Sequence, residues 1–168
     1  VNRRDELMLG MGLDLSVMRT YNSQGLLDGD NNDNWRMGVY QQIKGVSGPL
    51  MKSGGTVTRV GSDGSESVYV FDVARNAYVS HNGGAVDTLA IVNDQWVWND
   101  GSSSTTETYH WEPARRPPSE HGPANLNGAI LSRQDGDGNA LKFIYDQNTG
   151  MMARVESTTS TGKLESVN

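Results

Sequence analysis

The sequence predicts an all-β domain of antiparallel hairpins, arranged as a meander in a sandwich or in one curved repeat sheet. Twenty glycines among 168 residues, together with many Ser, Thr, Asn and Asp residues, indicate strands joined by frequent turns. Short stretches alternate apolar and polar residues, which is the period of a half-buried strand. No stretch carries the amphipathic pattern of a helix of three turns.

Three Asp-Gly pairs recur at an interval of 37 residues, at positions 63–64, 100–101 and 137–138. Each pair opens a segment that closes on two alternate aromatic residues and an acid. The closures are Tyr69-Val70-Phe71-Asp72, Tyr109-His110-Trp111-Glu112 and Phe143-Ile144-Tyr145-Asp146. Glycine tolerates positive φ and Asp suits turns, while alternate aromatic residues share one face of a strand. The constant interval therefore predicts a chain built by iteration of a turn-and-strand unit.

The predicted strands follow one another at short spacing along the chain. Turn residues such as Ala74-Arg75-Asn76 and Asn93-Asp94 separate them, which is typical of an antiparallel meander. The alternating or β-branched stretches that predict strands are 13–21, 35–43, 57–60, 67–71, 77–80, 87–92, 95–98, 105–111, 129–132, 141–145 and 151–155.

The length fits one domain, which we place at residues 1–156. Residues 113–123 hold four of the five prolines, and Pro117-Pro118 cannot lie inside a sheet, so this segment is predicted to be an exposed loop. Residues 157–168 are rich in Ser and Thr and are predicted to form a loose tail. The chain begins and ends within a pattern, and we expect it to be part of a longer protein.

Composition excludes several classes of function. A net charge of −6 with scattered basic residues argues against a nucleic-acid partner. No stretch approaches the roughly 20 apolar residues that a membrane-spanning helix needs. The absence of cysteine excludes disulfide scaffolds, iron–sulfur clusters, thiol nucleophiles and cysteine-based zinc sites.

The last turn-and-strand unit carries the strongest family resemblance. It contains Asp137-Gly138-Asn139 and then Tyr145-Asp146, followed by Gly150, and it resembles a YD repeat of the RHS family. Residues 15–23 resemble the strand that precedes RHS repeats, and residues 29–35 resemble the Gly-x-Trp element that follows that strand. Two departures are a second turn that is one residue longer than usual and Met151-Met152 in place of Arg-Leu.

The resemblance implies an architectural part rather than a catalyst. RHS and YD repeats form long strands that wind into a hollow shell around a C-terminal toxin, in secreted or surface-exposed bacterial proteins. This chain would be an N-terminal part of such a shell, with neighbouring repeats of a longer parent chain as its partners. The Asp-Pro-x-Gly motif of the self-cleaving segment found in many such shells has no counterpart, because no Asp-Pro occurs here.

Two acidic turns offer oxygen atoms at alternate positions, as calcium loops do. Neither turn completes an EF-hand: the first has Asp33 where Gly is needed, and the second places Asp146 where a bidentate Glu is needed. Plain turn chemistry is the other interpretation, so we expect no cofactor other than calcium. The candidate ligands are Asp28, Asp30, Asn32, Asp33, Asp135, Asp137 and Asn139.

Aromatic residues suggest a second function, a carbohydrate-binding module of an adhesin, with or without calcium. Trp96 and Trp98 share one strand face, with Trp111 a candidate third, and such rings stack on the C–H faces of sugars. The alternative is that these indoles seal the core. Clustered carboxylates, Asp100, Glu107, Glu112 and Glu120, would suit a glycosidase only as a pair at about 5–10 Å. No nucleophile elbow, phosphate loop or dinucleotide motif occurs, so we predict a protein that is not an enzyme.

Overall fold

The computed structural model describes residues 2–8, 12–21, 35–80, 86–112 and 126–167. These residues form strands and turns, and the predicted all-β, antiparallel meander is confirmed. The predicted proline-rich loop at 113–123 lies outside the described residues.

The strands form two sheets. The smaller sheet has the order β1-β2-β3 and consists of β1 (Asn2–Met8), β2 (Leu15–Tyr21) and β3 (Trp35–Met37). The larger sheet is an antiparallel meander that keeps chain order from β4 to β14. Its strands are β4 (Gln42–Ser47), β5 (Thr56–Val60), β6 (Glu66–Asp72), β7 (Ala77–Val79), β8 (Thr88–Val92), β9 (Gln95–Asn99), β10 (Thr106–His110), β11 (Ile130–Gln134), β12 (Ala140–Tyr145), β13 (Met152–Thr158) and β14 (Leu164–Val167).

The larger sheet curls until β4 meets the start of β11. Ile43 N donates to Gly128 O at 2.8 Å, Ile130 N donates to Gln41 O at 3.3 Å, and Gln42 and Ala129 form an antiparallel bridge. Within the described residues, β4 contacts the β11 side of the sheet only at this bridge. The sheet extends beyond β11 through β12, β13 and β14, so it remains open, with β14 as one edge strand.

The core lies on the concave side of the curl. On β6, β9, β10 and β12, alternate residues point inward, as the period of two requires, whereas all three residues of β7 are buried. On β6, Tyr69 and Phe71 are buried while Val68 and Val70 are exposed, so the predicted aromatic pair does share one face. The other buried apolar side chains of the core cluster include Val57, Tyr78, Leu89, Trp96, Trp98, Tyr109, Ile130, Leu141, Phe143 and Val155.

Two of the three Asp-Gly pairs lie in turns of the same type. At 61–65 and 135–139 the first residue's N–H donates to the fifth residue's C=O, at 2.9 and 3.0 Å. The fourth residue is Gly64 (φ 77°) or Gly138 (φ 88°), so each turn places glycine where a left-handed residue is needed. A third copy closes β13 and β14, with Thr159 N donating to Lys163 O at 3.0 Å and Gly162 at φ 85°.

The middle Asp-Gly pair lies in a different turn. Asp100 N donates to Thr105 O at 2.9 Å, and the left-handed residue is Ser104 (φ 57°) instead of Gly101. The intervals also differ in content, since β6 to β9 lie between the first two pairs and only β10 and β11 between the last two, within the described ranges. The constant interval of 37 residues between the Asp-Gly pairs therefore does not correspond to a repeated unit of strands in the described part of the chain.

The predicted loose tail is wrong for the part that the structure describes. β13 runs to Thr158, and β14 pairs with it from Thr158↔Leu164 to Val155↔Val167. The turn of 159–163 carries glycine at its left-handed position, which lets the Ser/Thr-rich segment reverse and add a strand. Strand β1 was likewise not predicted; it pairs with β2 around an irregularity between Arg4 and Glu6.

Candidate functional site

A cluster of polar side chains is buried inside the curl. Arg59 comes from β5, whereas Glu107 and Tyr109 come from β10, 48 and 50 residues further along the chain. Nε of Arg59 donates to Glu107 Oε2 at 3.2 Å and to the Tyr109 hydroxyl at 2.8 Å, and that hydroxyl donates to the same carboxylate oxygen. The side chains of Glu107 and Arg59 are only 2% and 12% exposed. We call these three residues the inner cluster.

Two aromatic residues complete the surroundings of the inner cluster. The Arg59 guanidinium carbon lies 3.7 Å from the centre of the Trp98 ring, and cations are attracted to such a ring face. Trp98 Nε1 donates to the Tyr69 hydroxyl at 2.8 Å, so the buried indole N–H is satisfied. Trp98 lies opposite Leu89 and Glu107 on the neighbouring strands, which explains how it reaches the inner cluster.

The electrostatics of the inner cluster keep the arginine charged. Burial lowers the pKa of Arg59, but Tyr109 and Glu107 more than reverse this effect, and the net pKa lies above its usual value. Burial, followed by the charge of Glu107, raises the pKa of Tyr109 well above its usual value. Because Glu107 Oε2 already accepts bonds from Arg59 and Tyr109, the cluster is arranged as a structural tie between β5 and β10, and this oxygen is not placed as a catalytic base.

A cavity of about 170 Å³ lies beside the inner cluster and is lined by residues of β2 and of the larger sheet. Gln41 and Arg133 line it and also contact the inner cluster, Gln41 through Arg59 at 3.5 Å and Arg133 through Glu107 at 3.9 Å. The segment before β2 is attached nearby, since Ser157 Oγ donates to Leu13 O at 3.2 Å. The whole lining consists of Asp14, Leu15, Met18, Gly38, Val39, Gln41, Ser62, Asp63, Arg133, Leu141 and Phe143.

The tyrosine–aspartate unit lies at the end of β12, and its acid organises the next turn. Asp146 Oδ1 accepts the N–H groups of Asn148 and Thr149 at 2.9 and 2.8 Å, and these bonds lower the pKa of Asp146. Gly150, at φ 72°, donates its N–H to Asp146 O. Tyr145 is half-buried, and burial followed by the influence of Tyr40 raises its pKa.

Asp72 does the same at the end of β6. Its Oδ1 accepts the N–H groups of Ala74 and Arg75 at 2.8 and 3.2 Å. The third closing acid, Glu112, instead donates its backbone N–H to Asn127 Oδ1 at 3.2 Å. Two of the three aromatic-and-acid closures thus share one local function, which is to fix the turn that follows the strand.

The acidic turn at 135–139 uses its oxygens internally. Asp135 Oδ1 accepts the N–H groups of Asp137 and Asn139 at 3.0 and 2.9 Å, and Oδ2 accepts from Asn139 Nδ2 at 2.9 Å. Bonds from the side chain of Asn139 lower the pKa of Asp135. No group of three His, Cys, Asp or Glu residues able to hold a metal occurs within the described part of the chain. The other candidate ligands, Asp28, Asp30, Asn32 and Asp33, lie outside it.

The tryptophans proposed to bind glycans are not placed for it. Trp96 is 1% exposed and packs edge-on against Tyr78 with ring centres 5.8 Å apart, and Trp98 is 7% exposed. A buried indole cannot stack on a sugar, so the glycan-stacking prediction is wrong for this pair, which lies in the core. Trp111 is half-buried and packs against the hydrophobic core.

Two of the four carboxylates considered for hydrolysis, Asp100 and Glu107, are engaged in other contacts. Asp100 accepts Ser102 N at 2.7 Å and Ser102 Oγ at 2.6 Å, and together with Ser103 these bonds lower its pKa to about 2. Glu107 belongs to the inner cluster, and Glu120 lies outside the described residues. The sequence places Glu107 on the same strand face as Tyr109, but it carries no signal for the contact with Arg59.

No family model and no curated protein matches this sequence. The described part of the chain holds no helix that is both long and apolar enough to cross a lipid bilayer.

Proposed function

We propose that the chain is a non-catalytic structural module that forms part of the shell wall of a larger secreted or surface-exposed bacterial protein of the RHS type, associated with a toxin. We call such a part a wall module. The observation that carries the proposal is the way the larger sheet grows after β11. Each of β12, β13 and β14 is added by a short turn with glycine at a left-handed position, namely Gly138, Gly150 and Gly162. Because each strand is joined to the previous one by the same kind of turn, a further strand can pair with β14 in the same way. This property suits a shell wall that continues through further repeats.

The open edge of β14 supports the same function. Thr159 N donates to Lys163 O, which directs Lys163 toward β13. Because successive residues of an antiparallel strand direct their N–H groups to opposite sides, Glu165 and Val167 also face β13. The N–H groups of Leu164 and Ser166 then point to the open side, where a following strand would accept them.

A tandem chain tests the proposal. Residues 126–167 are appended a second time after Asn168, so that the second β11 can pair with the first β14. A wall module should fold both copies as one sheet, and the dependence of the unfolding free energy on urea should rise with the added buried surface. A self-contained domain would leave the second copy protease-sensitive, with the urea dependence unchanged.

The matched control is the tandem chain with Ser166→Pro in its first copy. Proline removes only the outward N–H and is tolerated on edge strands, so the single chain should keep its fold. In the tandem chain the same substitution should release the second copy. If the second copy folds equally well with the proline, it does not extend the β14 edge and the proposal fails.

A further inference from the structure

The cavity between β2 and the larger sheet has two chemically different parts. Its floor is apolar and is formed by side chains from both sheets: Leu15, Met18, Val39, Leu141 and Phe143. Leu15, Leu141 and Phe143 are buried, at 8%, 5% and 4% exposure. An apolar cavity of about 150 Å³ can hold benzene, so a cavity of about 170 Å³ suits a compact ligand of similar size.

Two hydrogen-bond donors lie on the side of the inner cluster. Gln41 is 5% exposed; its carboxamide oxygen faces Arg59, and its amino group makes no hydrogen bond with any described residue. Arg133 contacts Glu107 only through Nε, at 3.9 Å, and its side chain is 42% exposed. An amino group that makes no hydrogen bond with the described residues is available to a ligand or to water that enters the cavity. These two groups together suit a carboxylate.

Carboxylates lie on the exposed rim. Asp63 belongs to the β5–β6 turn, and bonds from the side chain and the N–H of Ser65 lower its pKa, so it is an anion at neutral pH. Asp14 is also exposed and precedes β2. A cationic group of a ligand would be held at this rim, within reach of water.

We propose that this cavity binds a small zwitterionic amino acid. Gln41 and Arg133 receive its carboxylate, Asp63 receives its ammonium group, and a short apolar side chain lies on the floor. The site is independent of the proposed wall function, because none of these residues belongs to the β14 edge.

Titration with L-valine and two truncated analogues tests the proposal on the unaltered chain. Isobutylamine is valine without the carboxylate, and isovalerate is valine without the ammonium group. The readout is the NMR chemical shift of the methyl groups of Leu15, Val39 and Leu141, with affinity taken from saturation. Valine should bind at least about tenfold more tightly than either analogue, because each loses one charge-assisted set of bonds. Equal binding of an analogue, or no saturable shift with valine, overturns the proposal.

Two substitutions assign the charged groups. Arg133→Met keeps the aliphatic stem and removes the donor, and Asp63→Asn keeps an acceptor for Ser65 while removing the charge. Each should weaken valine binding about tenfold, while Arg154→Met, on exposed β13, should leave it unchanged. Unchanged affinity in both variants, with spectra that report an intact fold, would contradict the assignment.

Discussion

Nη2 of Arg59 lies 2.5 Å from Oε2 of Glu107, and this contact joins β5 to β10 across the inside of the curl. The two strands are not neighbours in the sheet, since four strands separate them. The Arg59–Glu107 ion pair therefore constrains the curvature of the sheet, in addition to the hydrogen bonds that join neighbouring strands. Two buried charges are costly unless they are paired and hydrogen-bonded, as they are here through Tyr109 and Trp98.

Removing one partner should expose that cost. Arg59→Met leaves buried Glu107 with only the contact to Arg133 at 3.9 Å, and Glu107→Gln leaves Arg59 buried without its anion. Each should lower the free energy of unfolding by about 3–5 kcal/mol, because a poorly compensated charge remains buried. The double variant should lose less than the sum of the single losses.

Urea unfolding of the four chains of this cycle measures the coupling. The exposed Arg154–Glu156 pair provides the control, because Arg154→Ala should cost less than about 1 kcal/mol. Additive losses in the Arg59 and Glu107 cycle would mean that the two residues act separately.

Tyr69→Phe should destabilise the chain through Trp98. The substitution removes the hydroxyl that accepts the indole N–H at 2.8 Å and leaves a buried donor without a partner. The expected loss is about 1–3 kcal/mol in the free energy of unfolding, measured by urea denaturation. Tyr40→Phe, at an exposed tyrosine, should have little effect, and an equal loss in both variants would count against the bond.

Gly128 and Gly162 separate steric clash from backbone strain. Both have positive φ, 83° and 85°. A Cβ at Gly128 would lie 2.0 Å from Ile43 O, at the place where β4 meets the start of β11, whereas a Cβ at Gly162 would have nothing within 4 Å. Gly162→Ala should cost about 1 kcal/mol from backbone strain alone.

Gly128→Ala should cost more than Gly162→Ala by about 2 kcal/mol or more, because backbone must move. Thermal unfolding of both variants provides the comparison, and hydrogen exchange at Ile43 reports the bridge directly. Equal losses would show that the meeting of β4 with residues 128–130 does not support the fold.

Turn aspartates should make stability fall in acid. Hydrogen bonds from Ser102 and Ser103 lower the pKa of Asp100 from 3.8 to about 2. A carboxyl with a lowered folded-state pKa stabilises the protein above its unfolded pKa and loses this contribution as pH falls through the folded value. The stability difference between the unaltered chain and Asp100→Asn should therefore shrink as the pH falls from about 4 to about 2.

Urea midpoints at several pH values measure this difference. Asp94→Asn is the control, since exposed Asp94 makes no side-chain hydrogen bond with the described residues. A difference for Asp100→Asn that does not change with pH would contradict the assignment.

The sequence was sufficient to predict most of the strands, because their period of two and their turn residues are local signals. The turn role of the acid in Tyr145-Asp146 was predictable for the same reason, and Asp146 does accept two turn N–H groups. β14 was missed because its Ser/Thr-rich surroundings resemble a disordered tail, although Gly162 marked the turn.

The inner cluster was beyond local reasoning. Arg59 and Glu107 are 48 residues apart and meet only because the sheet curls, and no pattern in either strand fixes that curvature. The burial of Trp96 and Trp98 likewise depends on which face of the sheet becomes concave. Alternation identifies two faces of a strand, but the partner strands decide which face is covered.

Amide-resolved hydrogen exchange on β14 tests the wall proposal most directly. In the single chain, the N–H groups of Leu164 and Ser166 should exchange rapidly, while those of Glu165 and Val167 should be protected by β13. In the tandem chain all four should be protected, because the appended β11 accepts the outward pair. If Leu164 and Ser166 exchange equally fast in both chains, the sheet does not continue past β14 and the wall account is contradicted.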